Sequence, residues 1–159
     1  MRVFRIEREK YLKTTLTGIG ASMSKGYRWN SFNTKLVYTA ESRALAMLEV
    51  SVHLDLSEDL PTDRRLVEIE IPDNISVLEV KIEDLPLDWN AKPPGLFTQI
   101  VGDDFVFQNE AAILKVPSSI VPQEFNYLIN PSHPHSKKIK VVRTIKMSFD
   151  TRVKQKGRK

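Results

Sequence analysis

Glu49 is the residue that most invites a chemical reading. It lies in TAESRALAMLEVSVHL, Thr39 to Leu54, the strongest helical pattern in the chain. Leu45, Leu48 and Val52 recur there at i, i+3 and i+7, and Glu49, four residues after Leu45, falls on their face. An ionised carboxylate on an apolar face is costly without a partner. Two readings stand open. Glu49 lies at the edge of the stripe and pairs with Arg43 or Arg28, or it lines a polar pocket where a ligand supplies the partners.

The neighbouring residue types bear on that choice. GYRWN, residues 26–30, combines a flexible glycine, two aromatics, an arginine and an amide. Arginine suits phosphate and an aromatic suits a flat ring, so Arg28 is a candidate ligand contact, while Trp29 reads equally as a core anchor. Tyr38 closes the strand-like KLVYT, and a residue at a strand end is well placed to face a crevice. Ser118 and Ser119 directly follow the apolar run AAILKVP, without the context of a nucleophile elbow. EFNYLINPSHPH carries Asn126, Asn130 and His133. Side-chain to backbone bonds within a loop are their ordinary use, and Asn130 is also a candidate substrate contact.

Elements must hold these residues in place. MRVFRI alternates as a first strand. Thr39 is placed to cap the helix, with Glu41 in its first turn. LVEIEIPDNISVLEV holds two strand-like runs around a Pro72-Asp73-Asn74 turn, and DLPLDWNAKPPGL reads as loop. FTQIVGDDFVFQNE lacks a clean period. It reads as a helix, a Gly-Asp turn, then a short helix or strand. AAILKVP is a buried strand ending at Pro117, and KIKVVRTIKMSFD is a late strand. Strands outnumber helices without βαβ order, which predicts an α+β fold: a mixed, mostly antiparallel sheet with flanking helices.

Composition excludes several functions. There is no cysteine, so neither a disulfide framework nor thiolate chemistry is available. Three histidines, His53, His133 and His135, do not have zinc-site spacing, and no metal is expected. GIG at Gly18–Gly20 lacks the surroundings of a phosphate loop or a dinucleotide fingerprint. No serine–histidine–acid set can be assembled. No signal peptide or membrane-spanning run is apparent, so a cytoplasmic protein is expected, with no membrane partner. The formal charge of +4 is uneven: residues 137–159 hold 10 of the 24 lysines and arginines, leaving a net of −5 on residues 1–136. The body is acidic and the end basic, which argues against a nucleic-acid-binding body.

Taken in order, VFRI, GIGA, GYRWN, LVYTAESRALAMLE, LPLDW, VGDDF, LKVPSSIVPQEFNYLINPSHP and FDTR resemble the RES-domain family across residues 1–152, leaving 153–159 as a basic tail. These are toxins of bacterial toxin–antitoxin pairs. The resemblance implies a fold similar to ADP-ribosyltransferases, a split mixed sheet, and chemistry on nicotinamide adenine dinucleotide (NAD+) as substrate. Known members hydrolyse or phosphorolyse it, or transfer ADP-ribose to a protein. Carried over by motif, the site residues are Arg28, Tyr38, Glu49 and Ser118, with Arg5 of FRI as a second arginine. Tyr27 stands where the family often has glycine. The resemblance also implies an Xre-type helix-turn-helix antitoxin that blocks the site and makes most of any DNA contact. A homo-oligomer is compatible with it.

Overall fold

The computed structural model describes residues 1–23, 25–54 and 60–153. In chain order the elements are β1 (Arg2–Arg8), α1 (Ile19–Met23), β2 (Val37–Ala40), α2 (Arg43–Ser51), β3 (Arg64–Glu70), β4 (Val77–Glu79), α3 (Leu96–Gln108), β5 (Ile113–Pro117), β6 (Phe125–Ile129) and β7 (Lys140–Lys146). The strands form one seven-stranded sheet in the order β4-β5-β6-β2-β1-β3-β7. Among the described residues only β4 and β5 run parallel; every other pair is antiparallel. The architecture is α+β, as the strand-rich pattern predicts.

Strand alternation gives the sheet two covered faces. Val3, Val37, Val67, Ile69, Ile113 and Ile129 pack on one of them. The other face carries two separate clusters. Phe4, Ala40 and Leu66 meet Leu45 and Ala46 of α2. Further along the sheet, Leu114, Val116 and Leu128 meet Trp29, Trp89 and Phe105 of α3. The seam between these clusters is where the chemistry-bearing residues collect.

The sheet is itself loosened beside that seam. β1 pairs with β3 at seven positions, but with β2 only at Phe4–Ala40. Next to that single pair, Arg5 Nη1 donates to the Tyr38 carbonyl at 3.0 Å. A side chain thus supplies a bond where a continuing ladder would have placed a backbone N–H. The sheet is nevertheless continuous across β2 and β1, so the expected split is not seen as a break between two sheets.

Several local expectations change. Ser42, not Thr39, caps α2, its hydroxyl accepting from Leu45 N at 3.0 Å. Thr39 belongs to β2, and its hydroxyl donates to the Tyr127 carbonyl. Glu41 lies outside the helix and accepts from Phe125 N, clamping the start of β6. The apolar face of α2 is narrower than its spacing suggests: Leu45 is buried, but Leu48 and Val52 are exposed. The stretch from Leu96 to Gln108 is one helix running through Gly102. A Cβ at Gly102 would sit 1.7 Å from the Trp29 carbonyl oxygen, so this glycine serves close packing and not a turn. EFNYLI, read as loop, supplies β6 in the middle of the sheet. The Pro72–Ile75 turn does form, closed by Ile75 N on the Pro72 carbonyl. It connects strands that are not neighbours, because β4 joins the far edge beside β5.

No helix among the described residues is long and apolar enough to cross a membrane. Residues 154–159 of the expected basic tail lie outside the described residues.

Candidate functional site

Glu49 sits in the last turn of α2, half-buried. A carboxylate there opposes the negative end of the helix dipole, an unfavourable placement of about 0.3–1 kcal/mol. Its bond comes from across the seam. Ser118 Oγ donates to Glu49 Oε1 at 2.8 Å, from the residue that follows β5. Ser118 is fully buried, and its oxygen accepts from Ile120 N at 3.1 Å and Val121 N at 3.2 Å. A serine hydroxyl has two acceptor positions and one proton. With both acceptor positions filled by the turn, the proton is directed at Glu49. Among the described residues Oε1 is thereby engaged, and Oε2 is the oxygen left for a ligand.

Neither arginine considered as a partner for Glu49 pairs with it. Arg43 binds Glu68 at 2.7 Å and lies over the Phe4 ring. Arg28 is half-buried and gives its guanidinium to a loop: Nη1 donates to the Trp89 carbonyl at 2.7 Å, Nη2 to Ala91 at 3.2 Å and to Asn90 at 3.5 Å. Burial pushes the Arg28 pKa down, and the negative charge of Glu49 pulls the other way. No ion pair forms between the two groups, and Glu49 acts on Arg28 only as a nearby negative charge.

Tyr38 completes this set. Its hydroxyl donates to Asn30 Oδ1 at 2.7 Å and accepts from Trp29 N at 3.1 Å. Burial, the largest influence, raises its pKa well beyond the ordinary tyrosine range, so the phenol stays neutral and is committed to structure. Its ring lies 5.5 Å from that of Tyr27, at 55°. Asn30 is fully buried and donates to the carbonyls of Ala21, Ser31 and Thr34. It is thus the post that fixes Tyr38 and folds the 26–34 arm. Asp103 of α3 holds the same arm through Ser31, with its carboxylate accepting from both the backbone N–H and the hydroxyl. Trp29, 3% exposed and beside Trp89, is a core anchor.

The structure thus brings Ser118 to Glu49 by a hydrogen bond and ties Tyr38 to the arm that carries Arg28, while the charge of Glu49 reaches Arg28 without a direct bond. Arg5 touches the set only through the Tyr38 carbonyl, and its other donors go to Glu7. Asn130 stands apart. It is fully buried, its amide donates to Asn109 Oδ1 and its oxygen accepts from Ser132 N, which braces the loop after β6. The sequence reading missed Asn30 and Asp103 as supports. Asp103 and Ser31 are 72 residues apart, so no local pattern announces their bond. A shallow groove of about 320 Å³ lies elsewhere, between β4 and α3, and none of these residues lines it.

Comparison with known proteins identifies the family. The RES-domain family profile matches residues 2–150. A Prs ADP-ribosylating toxin of a Sphingobium species is 44% identical, with 92% of this chain and 91% of that protein covered. Toxin Res of Photorhabdus laumondii is 37% identical over 96% of this chain and 97% of its own length. Toxin Res of Yersinia enterocolitica is 35% identical over 97% and 100%. Among solved structures, a chain of the M. tuberculosis MbcT–MbcA toxin–antitoxin complex superposes with a TM-score of 0.74 at 17% identity, covering 92% of this chain and 84% of that one. At that identity the likeness concerns the fold. The match along nearly the whole length, and the identities to full-length toxins, show that this chain belongs to the RES-domain family.

Proposed function

We propose that this chain is a toxin that cleaves the nicotinamide–ribose bond of NAD+. The observation that carries the reading is the posture of Glu49: a half-buried carboxylate held through one oxygen by the buried Ser118 hydroxyl, with the charge of Arg28 near enough to feel it. In the proposed step the bond from the anomeric carbon to the pyridinium nitrogen breaks. Its electron pair leaves with nicotinamide, which becomes neutral and needs no proton. The ribose develops oxocarbenium charge, which the Glu49 carboxylate stabilises while holding the ribose hydroxyls. Partial burial strengthens that attraction. Water or phosphate then adds to the anomeric carbon, and a proton from water passes to solvent.

Ser118 is read as the positioning residue of Glu49. Tyr38 offers its ring to flank the nicotinamide, with its hydroxyl already occupied. Arg28 supplies positive charge beside the dinucleotide while holding the 89–91 loop in place. Direct contact with the pyrophosphate requires Arg28 to exchange one of those carbonyls for a phosphate oxygen. Arg5 ties β1 to the Tyr38 carbonyl of β2, and Asn130 supports the loop after β6.

A second reading is transfer of ADP-ribose to a protein. It is favoured by the 44% identical relative, whose name gives Prs as its target. In that case a side chain of the acceptor replaces water. One experiment separates the two: incubate the purified chain with labelled NAD+, with and without phosphate, and with and without Prs. Free ADP-ribose or its 1-phosphate supports destruction of NAD+. Label on Prs supports transfer. Intact NAD+ in every arm contradicts both.

The MbcT–MbcA likeness supports a protein antitoxin as partner, and we place an Xre-type helix-turn-helix protein in that role, covering the seam. DNA contact then lies mainly with the antitoxin. The cytoplasm, where NAD+ is the working pool, is the site of action under this reading.

A further inference from the structure

The groove between β4 and α3 is lined by none of the residues assigned to NAD+. Its lining is mostly apolar, with Leu78 and Val80 on one side, Val101 and Phe105 of α3 on the other, and Leu114 of β5 between the two elements. Beside it α3 carries a second apolar feature. Leu96, Ile100 and Phe107 recur at i, i+4 and i+11, which sets them in one stripe opposite the buried Thr98, Gly102 and Phe105. All three are exposed, Phe107 with 88% of its surface open. The stripe runs about 16 Å, three turns of helix. Exposed apolar side chains scattered singly are ordinary, but a stripe of them alongside an apolar groove is the pattern of an interaction surface.

Charge narrows the occupant. Residues 77–110, which supply β4, α3 and the segment between them, hold seven acids and two lysines. That stretch alone equals the net −5 of residues 1–136. Asp104 and Glu110 line the groove and, among the described residues, enter no ion pair, while Glu79 beside them is held by Lys115 at 3.1 Å. A second copy of the chain on this face would set these acids against their own kind, which is unfavourable. The chain's own lysine-rich stretch, residues 137–146, lies in β7 and the turn before it, at the opposite edge of the sheet from β4. The complement is a cationic segment of another protein with an apolar side. β4 has only three residues, too few to template an added strand, whereas the stripe of α3 has the length of a helix laid alongside it.

We infer that the β4–α3 groove and the outer stripe of α3 form a docking surface for a basic amphipathic helix of a partner protein. Its apolar side covers Phe107, Ile100 and the groove, and its lysines or arginines meet Asp104 and Glu110. The inference is independent of the NAD+ reading.

The test titrates the full chain with two fluorescent synthetic helices of identical leucine spacing, one with lysine and one with glutamate at the polar positions, followed by anisotropy. The lysine helix is expected to bind at least about ten-fold more tightly than the glutamate helix. Asp104→Lys with Glu110→Lys is expected to weaken the lysine helix about ten-fold or more and to strengthen the glutamate helix. Phe107→Ser, and separately Ile100→Ser, are each expected to weaken the lysine helix about three- to ten-fold. These positions are exposed, so melts within a few degrees of wild type are expected for every variant. Equal binding of the two helices overturns the inference. So does lysine-helix binding that neither serine variant alters, which is attraction by charge alone. A dimer of the wild-type chain in sedimentation that Phe107→Ser dissolves also overturns it, since the face then belongs to a second copy.

Discussion

Replacing Ser118 by alanine removes one oxygen and three hydrogen bonds: two accepted from Ile120 N and Val121 N, and one given to Glu49. Ser118 is fully buried, so the two N–H groups that point at it are left without an acceptor at about 1 kcal/mol each or more. The lost bond to a charged carboxylate contributes about 1.5–3 kcal/mol of its own. Ser118→Ala is therefore expected to lower folding stability by about 3.5–5 kcal/mol, read from urea denaturation. If the Glu49 bond serves to aim the carboxylate, its loss also reaches the transition state. The same 1.5–3 kcal/mol then appears as a drop of about ten- to a hundred-fold in kcat, measured as NAD+ consumption at a temperature where the variant is folded. The decisive comparison is the double variant. In a Glu49→Gln background, Ser118→Ala has no carboxylate left to aim and should lower kcat no further. A Ser118→Ala enzyme with wild-type kcat refutes the positioning role, as does a loss that multiplies with that of Glu49→Gln.

Further expectations concern the supports of the site and the fold. Tyr38→Phe keeps the ring but leaves Trp29 N–H and Asn30 Oδ1 without their partner, and should cost about 1–3 kcal/mol in thermal or urea denaturation. Gly102→Ala drives a methyl into the Trp29 carbonyl and should destabilise by about 3 kcal/mol or more, displacing the arm that carries Arg28; circular dichroism melts and NAD+ consumption check both effects. His133 is buried, and that burial, with His135 beside it, holds its pKa below the ordinary 6.5. The unfolded chain thus takes up this proton first, so the His133 contribution is complete above 6.5 and is lost as pH falls from there through the lower folded value. His133→Asn, whose oxygen can still accept from His135 N, should flatten that limb of a melting-temperature profile relative to wild type.

The acid at position 49 was legible because an ionisable group fell on an apolar spacing, yet the spacing overstated the burial. Leu48 and Val52 are exposed, and what singles Glu49 out is a serine 69 residues away. Ser118 was visible as a residue after a buried strand. Its use as a proton donor was not, because that depends on two amides of the following turn. The strands of alternating or apolar pattern, β1, β3, β5 and β7, were readable from period alone. β6 was hidden by Asn126 and by the Asn130-Pro131 that follows. α3 was broken in two on paper because glycine disfavours helix. Here the close approach of the Trp29 carbonyl selects glycine against its own propensity. GYRWN was read as a ligand-contacting segment. Its Trp29 and Asn30 prove to be buried supports, Tyr27 is exposed, and Arg28 is bonded to the carbonyls of the 89–91 loop.

Glu49→Gln is the most direct measurement. It keeps the size of the side chain, removes the charge, and relieves an unfavourable carboxylate in the last turn of α2. The purified variant is expected to melt no more than a few degrees from wild type and to consume NAD+ at least about a hundred-fold more slowly. A folded Glu49→Gln chain that consumes NAD+ at the wild-type rate contradicts the assignment of this carboxylate to the chemistry.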